Sequence, residues 1–380
     1  MKIWYKFLFL PILILAFVGC DDDREFVNLD QPEVLPPEDG VVTQLQKHTI
    51  GNGVPIVIMV DRFTDVDIKS GKYRQATSWA LKGLFSVHPM DSLRNYFDVY
   101  EVTAVSYASQ SVGTAFDTLG GDSIWSSNCD KAVEYAEKAI GEERIDDATI
   151  IILYPWKDNE ITNFCYQSAT TPSSDYSGIP TGCAVACVGF NLDGNGAFDR
   201  TTHYGALLHE AVGHGFAGLA DEYPLNSIHR EEGEYDDSYK EWVMEEQKQG
   251  FRRNVSFDSD VTKTCWADFA ADSRYNYEKL GCYEGALYTC TGVYRPTERG
   301  IMYNADFSDG FNVAGRVMIY KRCMKIAYGD SWKFNYEDFV KFDLEKAKAE
   351  HEDIKKQYPE YSKSKRFCAP PQFLKMETSR

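Results

Sequence analysis

Residues 203–223 read HYGALLHEAVGHGFAGLADEY. His209, Glu210 and His214 stand in an Ala- and Leu-rich run whose spacing predicts a helix over residues 201–217. Two imidazoles on one helix face beside a carboxylate form a metal site with a base attached. The usual offset is four residues, because four residues bring an α-helix back to nearly the same face. Here the offset is five, and on a regular α-helix the two rings would diverge by about 140°. A π-bulge adds one residue to a turn and aligns i with i+5, and Gly213 offers a low-cost place for it. Past the helix, Gly215 and Gly218 turn the chain and deliver two carboxylates, Asp221 and Glu222. A catalytic zinc site takes three protein ligands and keeps one position open. Asp221 and Glu222 therefore compete as the third ligand.

Outward from this segment, Val54–Val60 and Ala148–Tyr154 are continuous apolar runs of the kind found in strands buried on both faces. Residues 98–107 alternate like a strand, and Gly182–Phe190 is expected to add a further strand at the sheet edge. Ser70–Val87, Asp91–Phe97 and Cys129–Ile140 have helical spacing, and Asn335–Lys356 reads as a charged, exposed helix. Residues 224–300 are polar, aromatic and irregular. Strand alternating with helix predicts an α/β fold with a mixed, largely parallel sheet.

The 380-residue chain carries 40 Lys+Arg against 58 Asp+Glu, a net charge of −18. That balance excludes a nucleic-acid binder, which needs a basic surface, and a protein held on anionic lipid by charge. Lys2 and Lys6 precede an apolar run from Phe7 to Val18, a secretory signal too short for a comfortable membrane span. Phe17-Val18-Gly19-Cys20 resembles a bacterial lipobox, which implies a signal peptide over residues 1–19 and lipidation of Cys20. Asp21-Asp22-Asp23 resembles the surface-export signal of Bacteroidetes-type lipoproteins. The expected location is the outer membrane, exposed at the surface, with Cys20 the only membrane attachment. Residues 20–45, acidic and Pro-containing, are expected to be a tether, and residues 46–380 the domain.

With Cys20 set aside, nine cysteines remain. Without any C-x-x-C pair they are read as disulfides or buried thiols, and Cys282 with Cys290 is the expected pair. Cys183 and Cys187 share one side of a strand and cannot bond each other.

The string HE…GHGFAGLADEY, together with Val57–Asp67 (VIMVDRFTDVD) and Gly281–Asn304 (GCYEGALYTCTGVYRPTERGIMYN), resembles the IgA-peptidase family of zinc metallopeptidases, over roughly residues 46–325. The His offset is similar to that of dipeptidyl-peptidase III, whose H-E-x-x-G-H carries two ligands. The resemblance implies a zincin/metzincin-like fold with an active-site helix. It implies Zn2+ held by His209, His214 and Asp221, Glu210 as the catalytic base, and Met302 in a turn supporting the site from below. Tyr303 is a candidate to assist the oxyanion. The implied activity is endopeptidase cleavage of extracellular proteins, such as host glycoproteins, by a monomer. An inactive surface-binding lipoprotein on the same scaffold is the alternative, and an exopeptidase a second rival.

Other motifs have plainer readings. His203 is expected to cap the helix or to support a ligand, and His48, His88, His229 and His351 have no partners visible in the sequence. Asn191–Gly196 begins like a calcium loop, but the Glu that the pattern needs is Thr202, so a tight turn is expected. Glu231–Asp237 reads as a solvated acidic loop near the site.

Overall fold

The structure, a computed structural model, describes residues 39–107, 114–120, 125–155, 162–167, 178–190, 200–224, 235–305, 310–357, 367–368 and 372–373. The fold is mixed α/β around one mostly parallel sheet. Its strands are β1 (Val42–Gln46), β2 (Val54–Val60), β3 (Phe97–Val102), β4 (Thr149–Pro155), β5 (Thr162–Gln167), β6 (Ala184–Phe190), β9 (Phe367–Cys368) and β10 (Gln372–Phe373). The spatial order is β1-β3-β2-β4-β6-β5-β9, with β10 also on β5. β3, β2, β4 and β6 run parallel, β1 is antiparallel to β3, and β5 is antiparallel to β6 but parallel to β9 and β10. A separate hairpin joins β7 (Tyr283–Ala286) to β8 (Thr289–Arg295) and packs on Val243 of helix α4 (Asp237–Gln249).

The apolar runs are continuous because both faces of the sheet are covered. Ile56, Ile58, Val60, Ile151 and Leu153 face one cluster, and Val57, Met59, Ile150, Ile152 and Tyr154 the other. On the first face lie α1 (Lys72–Leu84), the helix of residues 200–216 and α6 (Val313–Tyr328). On the second lies α2 (Cys129–Ile140), N-capped by the Asn128 side chain. The charged helix α7 is Tyr336–Gln357. Its buried Asp343 takes a forked pair of hydrogen bonds from Arg316 (2.7 and 2.9 Å) and lies 2.9 Å from His88 Nε2. His88, without a visible partner in the sequence, is thus a buried link between Asp343 and Ser92.

Several expectations are corrected. Residues 182–190 do not form an edge strand: β6 sits between β4 and β5, since the antiparallel β5 and the C-terminal strands extend the sheet past it. The folded region starts before residue 46. Asp39 accepts hydrogen bonds from the Val105 amide (2.9 Å) and the Tyr135 hydroxyl, Gly40 N–H bonds to Thr103 O (2.8 Å), and β1 pairs with β3. Cys282 and Cys290 are free thiols. The hairpin register pairs Tyr283 with Arg295 at the open end and Ala286 with Thr289 at the turn, which holds the two cysteines apart. Cys183 and Cys187 do share one face of the sheet. Residues 1–38, the Asn191–Gly196 loop, residues 225–234 and the side chain of His203 lie outside the described residues. Among the described residues no helix is long and apolar enough to cross a membrane.

Candidate metal centre

The helix expected over residues 201–217 is built in two registers. Residues Arg200–Leu207 are α-helical (α3), and Leu208–Phe216 form a π-helix. The π register turns His209 and His214 to the same side, with ring centroids 4.6 Å apart and planes at 88°. Small residues let this helix lie close on the sheet. A β-carbon at Gly215 would sit 3.4 Å from both Ala184 Cβ and Thr149 Cγ2. Gly213 is needed for a different contact: a β-carbon there would overlap Met302 Sδ. Gly218, at φ 63°, turns the chain back. Asn254, fully buried, then clamps Ala220 by both its backbone N–H and its C=O (2.8 Å each).

Asp221 arrives opposite the two imidazoles. Its Oδ1 lies 2.9 Å from His209 Nε2 and 3.2 Å from His214 Nε2, and all three side chains are wholly buried. The remaining ring nitrogens are committed: His209 Nδ1 lies 2.9 Å from Ile301 O and His214 Nδ1 2.8 Å from Leu219 O. A carbonyl only accepts, so each Nδ1 carries a proton and each Nε2 turns a lone pair toward the carboxylate. Lone pair facing lone pair requires a proton or a cation between them. Ligand atoms about 2.0–2.1 Å from one tetrahedral ion are about 3.3 Å apart, and the observed spacings are close to that. His209, His214 and Asp221 can hold a metal ion, and the donor set fits.

Electrostatics agree with the geometry. Burial would lower the His209 pKa, but the Asp221 carboxylate, helped by Glu210 and Ile301 O, lifts it to about 9. Burial would raise Asp221, but His214 and His209 hold it well below the usual carboxylate range. Burial pushes Glu222 up to about 7 against its amide donors. Glu222, the competing ligand, points away from the triad. It accepts from Asn254 Nδ2 (2.9 Å) and Asn312 Nδ2 (3.0 and 3.1 Å), and its N–H bonds to Met302 O (2.8 Å). Glu210, fully buried and next to His209 in the sequence, is the one carboxylate of the π-helix.

Ile301 and Met302 belong to the short helix α5 (Ile301–Asn304), which underlies the site. Tyr303 does not touch the triad among the described residues; its ring lies 4.5 Å under the Arg295 guanidinium. The tyrosine that reaches the site is Tyr288, whose hydroxyl donates to Asp221 Oδ2. It sits in the two-residue turn between β7 and β8, where Leu287 (φ 48°) and Tyr288 (φ 68°) are both left-handed. Such turns prefer Asn-Gly, and each side chain held there costs about 1–3 kcal/mol. Three hydrogen bonds fix the turn: Leu287 N–H to Asp221 O (3.1 Å), Tyr288 N–H to Tyr223 O (3.0 Å), and the Tyr235 hydroxyl to Leu287 O. A Leu-Tyr pair gives no turn signal, and only the hairpin's docking on residues 221–223 identifies Tyr288. Asn254 and Asn312 likewise had no motif to mark them.

The fold is thus mixed α/β, and its centre is a buried triad able to hold a metal ion. No protein-family model matches the chain, and no curated protein matches it.

Proposed function

We propose that the chain is a zinc-dependent endopeptidase of the IgA-peptidase type with a zincin/metzincin-like fold. In this reading it is carried to the outer-membrane surface on a lipid at Cys20 and acts on extracellular protein substrates. The observation that carries the reading is the meeting of the Asp221 carboxylate oxygen with two imidazole Nε2 atoms from a π-turn that also bears Glu210. Two imidazole nitrogens and one carboxylate oxygen gathered this closely suit zinc. When bound, zinc supplies Lewis acidity to a substrate carbonyl and lowers the pKa of water at the open position toward about 7. Glu210 is the base: its carboxylate takes the proton from the attacking water and returns it to the leaving amine. Asp221 balances the charge of the site, while Ile301 O and Leu219 O keep both imidazoles in the ligating tautomer. Met302 packs behind the π-helix against Gly213 and keeps the ligands in place.

The test is elemental analysis of the purified chain and of His214→Ala, followed by cleavage of a protein substrate with blocked termini, with Glu210→Gln as control. About one zinc per chain, lost in His214→Ala, together with internal cleavage abolished in Glu210→Gln, is expected. A chain that takes up no zinc on reconstitution sinks the proposal and leaves the surface-binding lipoprotein. Zinc uptake with release of terminal residues only would make it an exopeptidase.

A further inference from the structure

We infer that Tyr288 is a positioning residue of the metal centre, holding Asp221 so that one carboxylate oxygen is offered to the ion and the other is kept from it. The inference rests on the zinc reading above. Asp221 divides its two oxygens cleanly. Oδ1 faces both imidazoles, and Oδ2 accepts the Tyr288 hydroxyl. A carboxylate with one oxygen already hydrogen-bonded presents the other singly, which favours four-coordination over a bidentate, expanded shell.

The backbone argues that the hydroxyl is required at this position. Leu287 and Tyr288 occupy a turn that Asn-Gly would make at far lower cost. The chain keeps two bulky residues in left-handed conformation there, with two backbone hydrogen bonds holding the turn against Asp221 and Tyr223 and a third to it from the Tyr235 hydroxyl. The two backbone bonds also tie the hairpin tip to the segment carrying the ligand, so the Tyr288 ring and the Asp221 backbone move together. Tyr288 ring edges pack on Tyr223, at 5.6 Å and 73°, and Tyr223 in turn lies 6.3 Å from the His209 ring. The phenol is thereby packed on its Tyr223 side and fixed at its hydroxyl by Asp221. A purely structural turn has no use for a hydroxyl aimed at a ligand oxygen.

The experiment compares zinc affinity, by competition with a chromophoric chelator, in the parent and in Tyr288→Phe, which keeps ring and turn and removes one oxygen. Tyr288→Phe is expected to bind zinc about 10–100-fold more weakly. The cobalt-loaded variant is expected to show weaker visible absorption than the parent, as the freed Oδ2 joins the shell. If the metal-free variant does not fold, the rate of zinc loss to excess chelator from the loaded chain replaces the affinity, and should rise by the same factor. Equal affinity, or an equal loss rate, with an unchanged cobalt spectrum overturns the assignment of Tyr288 alone. A parent that takes up no zinc overturns the peptidase reading and this one with it.

Discussion

Gly213 and Met302 fit each other at the back of the metal triad: the hydrogen of Gly213 is all that Met302 Sδ leaves room for. The contact joins the π-helix to α5, whose Ile301 O orients His209. Gly213→Ala is expected to cost about 1–3 kcal/mol by overpacking and to weaken zinc binding through the displaced Ile301. Met302→Ala alone should cost about 2–5 kcal/mol through the cavity it leaves. The double variant should lose less than the two added together, because each change relieves the other. Thermal unfolding of the four chains gives the coupling, and strict additivity would show that the contact carries no energy.

On the proposed zinc reading, metal removal should loosen the fold as well as stop cleavage. In that reading, zinc held by His209, His214 and Asp221 would bind only the folded chain and bridge the π-helix to the Asp221 segment. At a free concentration a thousandfold above Kd it adds about 4 kcal/mol. Chelation should therefore lower Tm, and His209→Ala should show no such dependence on zinc. A parent Tm indifferent to zinc and chelator would contradict this.

The corner where α7 meets His88 should respond to pH. Burial pushes Glu350 up to about 7, against the pull of the His88 amide. For His88, burial opposes protonation, yet Asp343 and Asp91 raise it above 6.5. A raised carboxyl pKa means that the fold favours the protonated form. Its contribution is whole below about 4.5 and is lost as pH climbs to about 7. The His88 contribution is present below 6.5 and is lost as pH passes its raised value. Both act in the same direction, so Tm should fall from pH 5 to pH 8. Glu350→Gln should flatten the lower half of that fall, and identical Tm–pH slopes for the two chains would refute the account.

The outer edge of β5 is covered by the chain's own C-terminal strands. Phe367–Cys368 pair with Thr162–Asn163, and Gln372–Phe373 with Tyr166–Gln167. Ending the chain at Gln357 uncovers a row of unpaired N–H and C=O groups on a strand whose Gln167 side chain bonds to His214 O (2.5 Å). Such an edge templates association. Light scattering at rising concentration should show self-association in the shortened chain and not in the parent. Two equally monodisperse chains would show that the edge is harmless.

What the sequence discloses follows from how local each feature is. The five-residue offset and Gly213 called for a π-turn, and Leu208–Phe216 makes one. The runs of β2 and β4 were plain because strands buried on both faces are apolar throughout. Helix α6 was not legible. It is buried on almost every side and so has no apolar stripe, and its Arg316 and Arg322 are inside, the first on Asp343 and the second on Gly182 O. The place of residues 182–190 in the sheet depends on which strands arrive beside it, and the sequence of β6 is silent on that. Tyr288 depends on a turn made by residues that turns normally avoid.

The π-turn separates spelling from geometry. Deleting Ala211 would give this chain the four-residue spacing in letters, yet every atom beyond the cut would swing by about 100°, carrying Leu219 O and Asp221 away from the imidazoles they serve. A chain that looks more orthodox would then be the poorer host for an ion. Two different spacings can present the same pair of nitrogens, and the helix register decides which one works.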